Sequence, residues 1–498
     1  MLATAKTFTL DGISARPVCV EVDVGGDPST FSIVGLPDLA VREARERVRA
    51  ALINCGFEFP TQRITVNLAP SGLRKAGPGL DLAIAVALLA ASRQLEWKAL
   101  PRLAMAGELA LDGSVRSIPG ALAMTEAARQ EEMEGIVVPA INGAEAVLAE
   151  QIDVIPLDSL SQLPQLASGD WVPERPEPLP LMLSANGHGP DLADLRGQAY
   201  LRHSLEVAAA GGHSVLMIGP PGAGKSLAAR RMPSIMPPLA YDEALEVARI
   251  ASACGELGDR SVRGRPFRAP HHTISVMGLV GGGNPPNPGE ITLAHRGVVF
   301  LDEFCEFRRD TLEALRDPLE SGAVSISRSG SWREFPCRFM LVAAANPCPC
   351  GRGDDDIDCT CSPTAVQRYR GRLSGAVADR IDILAMVKQP TAEEIAGEPG
   401  ESSVDIRERV ARARERQEDR LGPGRCNAEM TPGEARRCDL STDASDLLAE
   451  FYSRWRLSGR THDRVLRLAQ TIADLADADR IDGEMMREAL KLRHPEPE

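Results

Sequence analysis

The chain has 498 residues, enough for three domains of ordinary size, each able to bury its own core. With 56 Lys and Arg against 70 Asp and Glu, its net charge is −14, which excludes a uniformly basic exterior. Nucleic-acid binding would need a local basic track or assembly, and at 4% aromatic residues broad base-stacking platforms are not expected.

In chain order, Met1-Leu-Ala-Thr-Ala-Lys runs into alternating strand-like sequence, not an apolar signal region. Strands are predicted over Val18–Val24 and Arg63–Leu68, and helices over Leu80–Ala91 and Ala121–Arg129. The longest apolar run, Leu82 to Ala91, is about half of a membrane span, so no membrane partner is expected. A Pro-rich and then Gly-containing stretch marks a linker at 173–189, between a first unit at 1–172 and a second at 190–388. In the second unit, buried strands such as Ser214–Ile218 and Val298–Leu301 alternate with helices, which predicts a mostly parallel α/β sheet. Residues 389–498 read as helical, with a heavily charged stretch from Arg407 to Arg420. Eleven cysteines, an odd number, read as reduced thiols and so as a cytoplasmic setting.

Gly219, Pro220, Pro221, Gly222, Ala223, Gly224, Lys225 and Ser226 fit the P-loop pattern, between a predicted strand and a helix that starts at Leu227. Glycines let backbone N–H groups wrap phosphates, Lys225 adds a point charge, and the Ser226 hydroxyl suits Mg²⁺. The strand Val298–Leu301 ends in Asp302 and Glu303. Downstream of a P-loop, Asp302 suits the Mg²⁺ shell and Glu303 suits polarising the attacking water; by themselves they read as an acidic turn. A third strand ends at Asn346, either a water-orienting amide or a turn residue before Pro347. Arg380 and Arg460 follow, and surface ion pairing is the usual fate of Arg.

In this order these residues resemble AAA+ ATPases. Three stretches, Arg265-Pro-Phe-Arg-Ala-Pro-His-His-Thr273, Pro288-Gly-Glu-Ile-Thr-Leu-Ala-His-Arg-Gly297 and Arg368-Tyr-Arg-Gly-Arg-Leu-Ser-Gly375, are similar to the magnesium-chelatase-like group, and the whole chain resembles the YifB/ComM family. The resemblance implies an α/β multidomain protein: a Lon-protease-like α+β N-terminal domain, an AAA+ P-loop α/β core and a C-terminal all-α lid. It makes Arg380 the arginine finger acting on a neighbouring subunit's ATP, Asn346 sensor 1, and Arg460 sensor 2, with Arg464 the fallback one turn later. The family has Pro-Leu-Leu before its Asp-Arg, where this chain has Ala376-Val-Ala378. It also implies a homo-oligomeric, hexameric ring that uses ATP and Mg²⁺ to act on DNA, in unwinding or branch migration during recombination or natural transformation. The alternatives are a magnesium-chelatase-type ATPase subunit and a protein-remodelling ATPase. Chelatase ATPase subunits are expected to lack the first unit, which argues against the former.

An insertion is expected at 264–292 as a projecting hairpin or a surface loop. A second hairpin is predicted around Ala323–Arg333; in this clade it faces the ring pore, which makes Arg328 and Arg333 the candidates for DNA contact. His271-His272 lacks a third ligand nearby, so a structural or interface role is expected. Cys348, Cys350, Cys359 and Cys361 either close a tetrahedral structural Zn²⁺ site or remain free or redox-sensitive thiols. The first unit resembles the Lon proteolytic domain through 74–83 and 107–120, but Gly79 occupies the nucleophile's position and Leu122 the base's. With neither hydroxyl nor amine, a scaffold or binding domain without peptidase activity is expected.

Overall fold

Period-two alternation at the start of the chain forms a long hairpin. Strand β1 (Leu2–Asp11) pairs antiparallel with β2 (Ser14–Val24), in register from Leu2↔Asp23 to Asp11↔Ser14. After it come β3 (Phe31–Val34), β4 (Ile64–Ala69), β5 (Leu103–Met105), the short hairpin β6 (Glu108–Leu109) and β7 (Val115–Arg116), then β8 (Gly135–Pro139) and β9 (Asp153–Leu157). Seven of these make one mixed sheet in the order β3-β4-β2-β1-β5-β8-β9. The helix Asp81–Ala91 packs against β1 and β2; its residues from Leu82 to Leu89 are buried all round, so it carries no polar face.

The computed structural model describes residues 1–26, 30–181, 190–257, 264–283, 286–328, 331–352, 359–373, 380–455 and 458–494. Part of the predicted linker, 182–189, lies outside them. The chain packs as two units, Met1–Met182 with Tyr241–Val262, and Leu183–Ala240 with Arg263–Glu498. The helix Tyr241–Ala253, expected within the 190–388 core, thus belongs to the first unit. Its apolar face buries Ala244, Val247 and Ala248, and Arg249 forks onto Glu126 at 2.6 and 2.7 Å. Chain adjacency gave no sign of that packing.

The second unit holds a five-stranded parallel sheet. Its strands are β10 (Val215–Ile218), β11 (Phe267–Arg268), β14 (Val298–Leu301), β17 (Met340–Ala345) and β18 (Ile383–Met386), in the order β11-β14-β17-β10-β18. Between them lie two antiparallel hairpins, β12 (Gly281–Gly282) with β13 (Asn287–Pro288), and β15 (Ala323–Arg328) with β16 (Ser331–Pro336). The span 264–292, expected as an insertion, therefore begins with an edge strand of the core sheet: Phe267 and Arg268 pair with Val298 and Val299. The rest of the span holds the β12–β13 hairpin between the helices Val276–Val280 and Glu290–Leu293, with 284–285 outside the described residues.

The C-terminal helices Ser403–Leu421, Thr442–Trp455, Gly459–Leu475 and Gly483–Arg493 share one apolar core with this sheet. Val410, Ala413, Leu468 and Ala469 pack in the same cluster as Leu205, Ala209 and Val215. Among the described residues no helix is long and apolar enough to cross a membrane.

Candidate active site

The P-loop residues gather at the carboxyl ends of the parallel strands, where open α/β sheets collect ligands. β10 ends at Ile218 and the chain turns through 219–224 into the helix Lys225–Ile235. Gly222 and Gly224 take φ of +78° and +90°, which L side chains resist. A Cβ at Gly219 would fall 2.2 Å from the Val387 carbonyl oxygen, so that close approach also demands glycine. The turn presents the first N–H groups of the helix, which have no intrahelical partner, as an anion cradle.

Lys225 is buried, and its Nζ donates to the carbonyls of Gly219 (2.6 Å) and Pro220 (2.8 Å) and to Asn346 Oδ1 (3.3 Å). Burial pushes the ammonium pKa down, offset in part by the Asp302 carboxylate. Ser226 Oγ donates to Asp302 Oδ2 at 2.7 Å. Three strand ends, those of β10, β14 and β17, thus bring Lys225, Ser226, Asp302 and Asn346 to one point. A hydroxyl and a carboxylate in contact are hard oxygen donors, a set that fits Mg²⁺.

Glu303, next to Asp302, has left-handed backbone (φ +52°), a conformation that costs a non-glycine residue about 1–3 kcal/mol. The tight turn Phe304–Glu306 holds it there, with the Glu306 N–H donating to the Glu303 carbonyl at 2.7 Å. Its carboxylate Oε2 is 3.2 Å from His272 Nδ1. The His272 ring lies beside His271 (centroids 4.1 Å) and meets Phe307 edge-on at 6.4 Å. Sequence reasoning missed this pairing, because the two residues approach only when β11 lies beside β14. Other signature residues are clamps. Arg265 donates to the carbonyls of Pro237 and Arg296, both at 2.7 Å, and Arg268 forks onto Glu290 at 2.6 and 2.9 Å.

Arg380 lies at the opposite end of the sheet. β18 runs parallel to β10 from Val215↔Ile383, so Arg380 and Asp382 precede both strands while the P-loop follows β10. Four residues of strand, about 13 Å, separate the two ends. Arg380 is buried and donates to Glu320 Oε1 at 2.6 Å. Arg464 bonds Asp382 (3.3 Å) at that same end. Arg460 is exposed one turn earlier on the helix Gly459–Leu475. Residues 376–378 lie outside the described residues.

The hairpin β15–β16 pairs Val324 with buried Phe335 near its base and Ser327 with Trp332 near its tip. Trp332 is 59% exposed, and Arg333 follows it. The side chain of Arg328 lies outside the described residues, as do 329–330. The four thiols after Asn346 converge: Cys348 Sγ is 3.3 Å from Cys350 Sγ and 3.8 Å from Cys359 Sγ, and Cys350 and Cys359 are 3.6 Å apart. Cys361 completes the group, with all four sulfurs within 4.8 Å of one another.

In the first unit Gly79 is buried, and a Cβ there would meet Ile118 (3.7 Å) and Met124 (4.0 Å). Leu122 is buried on the helix Ala121–Gln130, whose amino end receives the Ser252 hydroxyl oxygen at 3.4 Å from the Leu122 N–H. Both positions are apolar. Two buried charges of this unit are otherwise engaged: Lys75 donates to the Pro70 carbonyl, and Asp81 accepts a fork from the half-buried Arg47 at 2.6 and 2.9 Å.

Comparison with known proteins covers nearly the whole chain. Residues 191–395 match the family model described as magnesium chelatase, subunit ChlI, and residues 400–493 that of the ChlI C-terminal region. Residues 20–142 match a model described as subunit ChlI of Mg-chelatase. The first unit therefore does not set this chain apart from chelatase subunits, contrary to the sequence expectation. The protein YifB of Escherichia coli is 42% identical over 497 residues, covering 99% of this chain and 97% of its own. YifB of Salmonella typhimurium is 41% identical over 497 residues, with the same coverage of 99% and 97%. Competence protein ComM of Haemophilus influenzae is 39% identical over 496 residues, 97% of this chain and 95% of its own.

Proposed function

The chain belongs to the YifB/ComM family of magnesium-chelatase-like AAA+ ATPases, and from that premise we propose that it is a cytoplasmic, ATP-driven ring motor that acts on DNA. The observation that carries the ATPase chemistry is the convergence of Lys225, Ser226, Asp302 and Asn346 beside the P-loop turn. The backbone of 219–226 and Lys225 cradle the ATP phosphates, and Leu227 lies in the first turn of the supporting helix, which begins at Lys225 and not at Leu227 as the sequence predicted. Ser226 and Asp302 hold Mg²⁺, which when bound neutralises charge on the phosphate oxygens. Glu303 polarises the attacking water and takes its proton, while Asn346 orients that water without adding charge.

His272 is the positioning residue for Glu303, since its Nδ1 stands 3.2 Å from one carboxylate oxygen. His272→Ala is expected to lower kcat about tenfold, as loss of the imidazole that stands against the general base implies, while KM for ATP changes by less than about twofold. His272→Asn, which keeps a donor, recovers part of kcat. Steady-state kinetics of the two variants checks this, because a merely structural role would move KM and kcat together.

Arg380 acts in trans. Its place at the amino end of the sheet supports this, since its own P-loop lies beyond the length of β10. Arg460, exposed one turn before Arg464, serves as sensor 2, with Arg464 the fallback. Finger action in trans requires a closed ring of subunits, a hexamer.

DNA as substrate is supported by the hairpin β15–β16, which offers the exposed Trp332 as a stacking face and, on the opposite face of the ribbon, the cation of Arg333, with Arg328 the further candidate. The name of the Haemophilus influenzae relative supports a role in competence. A four-way-junction branch-migration assay with ATP tests the reading. Trp332→Ala is expected to weaken single-stranded DNA binding about 5- to 100-fold, and Arg333→Ala to reduce the salt slope by about one. ATPase stimulation by DNA, and none by a porphyrin-bearing partner or unfolded protein, would distinguish this motor from the alternatives. The chelatase reading keeps one observation in its favour, the chelatase family models matched across both units. The first unit, Lon-protease-like in sequence but apolar at Gly79 and Leu122, serves as a scaffold or binding domain without peptidase activity.

A further inference from the structure

The four thiols after β17 lie beside the ATP site and take no part in the chemistry above. A tetrahedron of thiolates each about 2.3 Å from a central ion has edges of about 3.8 Å. The observed sulfur separations of 3.3, 3.6 and 3.8 Å, with all four atoms inside 4.8 Å, match that figure. They are too long for a disulfide, whose sulfurs approach to about 2.05 Å. Scattered free thiols have no reason to converge four at a time, and among the described residues no carboxylate or imidazole belongs to the group. The Cys350 N–H donates to Cys361 Sγ at 3.4 Å, an outer-shell contact that orients a metal-bound sulfur.

The first pair of cysteines also touches the catalytic loop. Asn346, bonded to Lys225, is two residues before Cys348. The Gly351 N–H donates back to the Cys348 carbonyl at 2.9 Å, closing a turn around Cys350. That turn abuts the P-loop: a Cβ added at Gly351, where φ is +86°, would lie 2.8 Å from Pro221 Cγ and 3.9 Å from Asn346 Cγ. The second pair, Cys359 and Cys361, stands immediately before the helix Pro363–Leu373, which carries the chain toward Arg380.

We propose that Cys348, Cys350, Cys359 and Cys361 bind one Zn²⁺ per subunit as a closed four-thiolate site, and that this metal is the strut pressing the Asn346 turn against the P-loop. Zn²⁺ is the ion that four thiolates in a closed tetrahedron select without redox chemistry. The site stands on the sulfur geometry alone; the strut rests on the reading of Lys225 and Asn346 as ATPase residues. Displacing a catalytic group by about 1 Å costs on the order of 100-fold in rate, so an unfastened Asn346 matters even though it binds no metal.

The test uses the full-length protein. Elemental analysis is expected to give one zinc per subunit, released by a mercurial thiol reagent and detected with a metallochromic dye. Cobalt substitution is expected to give the intense thiolate-to-metal charge-transfer bands of a tetrahedral sulfur site. Less than stoichiometric zinc, iron in its place, or disulfides between these cysteines overturns the site, whatever the ATPase does. For the strut, the Cys359→Ser/Cys361→Ser double variant is expected to lose its zinc and about 10- to 100-fold in kcat, with ATP still bound, whereas Cys438→Ser keeps its zinc. Zinc loss with undiminished kcat overturns the strut. If the double variant does not fold, zinc release from the wild-type protein, with turnover followed as the metal leaves, decides the same question. Wild-type protein with stoichiometric zinc but no ATP hydrolysis overturns the strut together with the ATPase reading and leaves the site standing.

Discussion

Arg380→Ala is expected to reduce ATP turnover by about 10³-fold or more, the scale of an arginine finger, equivalent to roughly 4 kcal/mol of transition-state stabilisation. The loss should be repairable between subunits. Arg380 precedes β18, at the end of the sheet away from the P-loop of its own chain. A subunit with Arg380→Ala still has an intact P-loop, and a subunit with Lys225→Ala still has an intact finger. In an equal random mixture about a quarter of the interfaces join the two intact halves, so phosphate release should reappear although each variant alone is inactive. Absence of rescue at every mixing ratio would count against action in trans. Arg380 is also buried and bonded to Glu320, so thermal unfolding of the variant is measured alongside. A lowered midpoint with rescue on mixing to about that quarter assigns the activity loss to the finger and not to unfolding.

Glu303→Gln is expected to bind ATP normally and hydrolyse it about 10²- to 10⁴-fold more slowly, the range for loss of a positioned general base. The amide keeps the shape of the carboxylate but cannot accept the proton of the attacking water. Ser226, Asp302 and Lys225 are untouched, so the phosphate cradle and the Mg²⁺ donors persist. Binding of a fluorescent ATP analogue and single-turnover phosphate release measure the two halves separately. Loss of binding would remove Glu303 from the role of base, because a group that acts only on water has no part in ground-state affinity.

Several elements were legible in the sequence because their patterns are local. The run Val298–Leu301 is a strand with those bounds, and the helix predicted over Leu80–Ala91 is found at Asp81–Ala91. The strand-turn-helix of the P-loop follows from glycine spacing and needs no distant partner. The hairpin around Trp332 was visible in its alternation, although the exposed indole itself went unremarked. What failed were statements about partners. Phe267 and Arg268 looked like part of an insertion because a two-residue edge strand carries too little pattern to be seen. The helix Tyr241–Ala253 was placed with its neighbours in the chain, but its apolar face and Arg249 are satisfied in the first unit.

The sequence by itself determined the family and the residues that meet beside the P-loop turn, because phosphate chemistry demands particular residue types at fixed short spacings. Only the tertiary structure decided which side chains steer those residues. His272 reaches Glu303 because β11 lies beside β14, and Arg380 stands away from its own P-loop because β18 runs parallel to β10. The four thiols, grouped already by their spacing in the sequence, come within 4.8 Å of one another only in the fold. Sheet order is set by burial summed over many apolar contacts, none of which is written in any one motif.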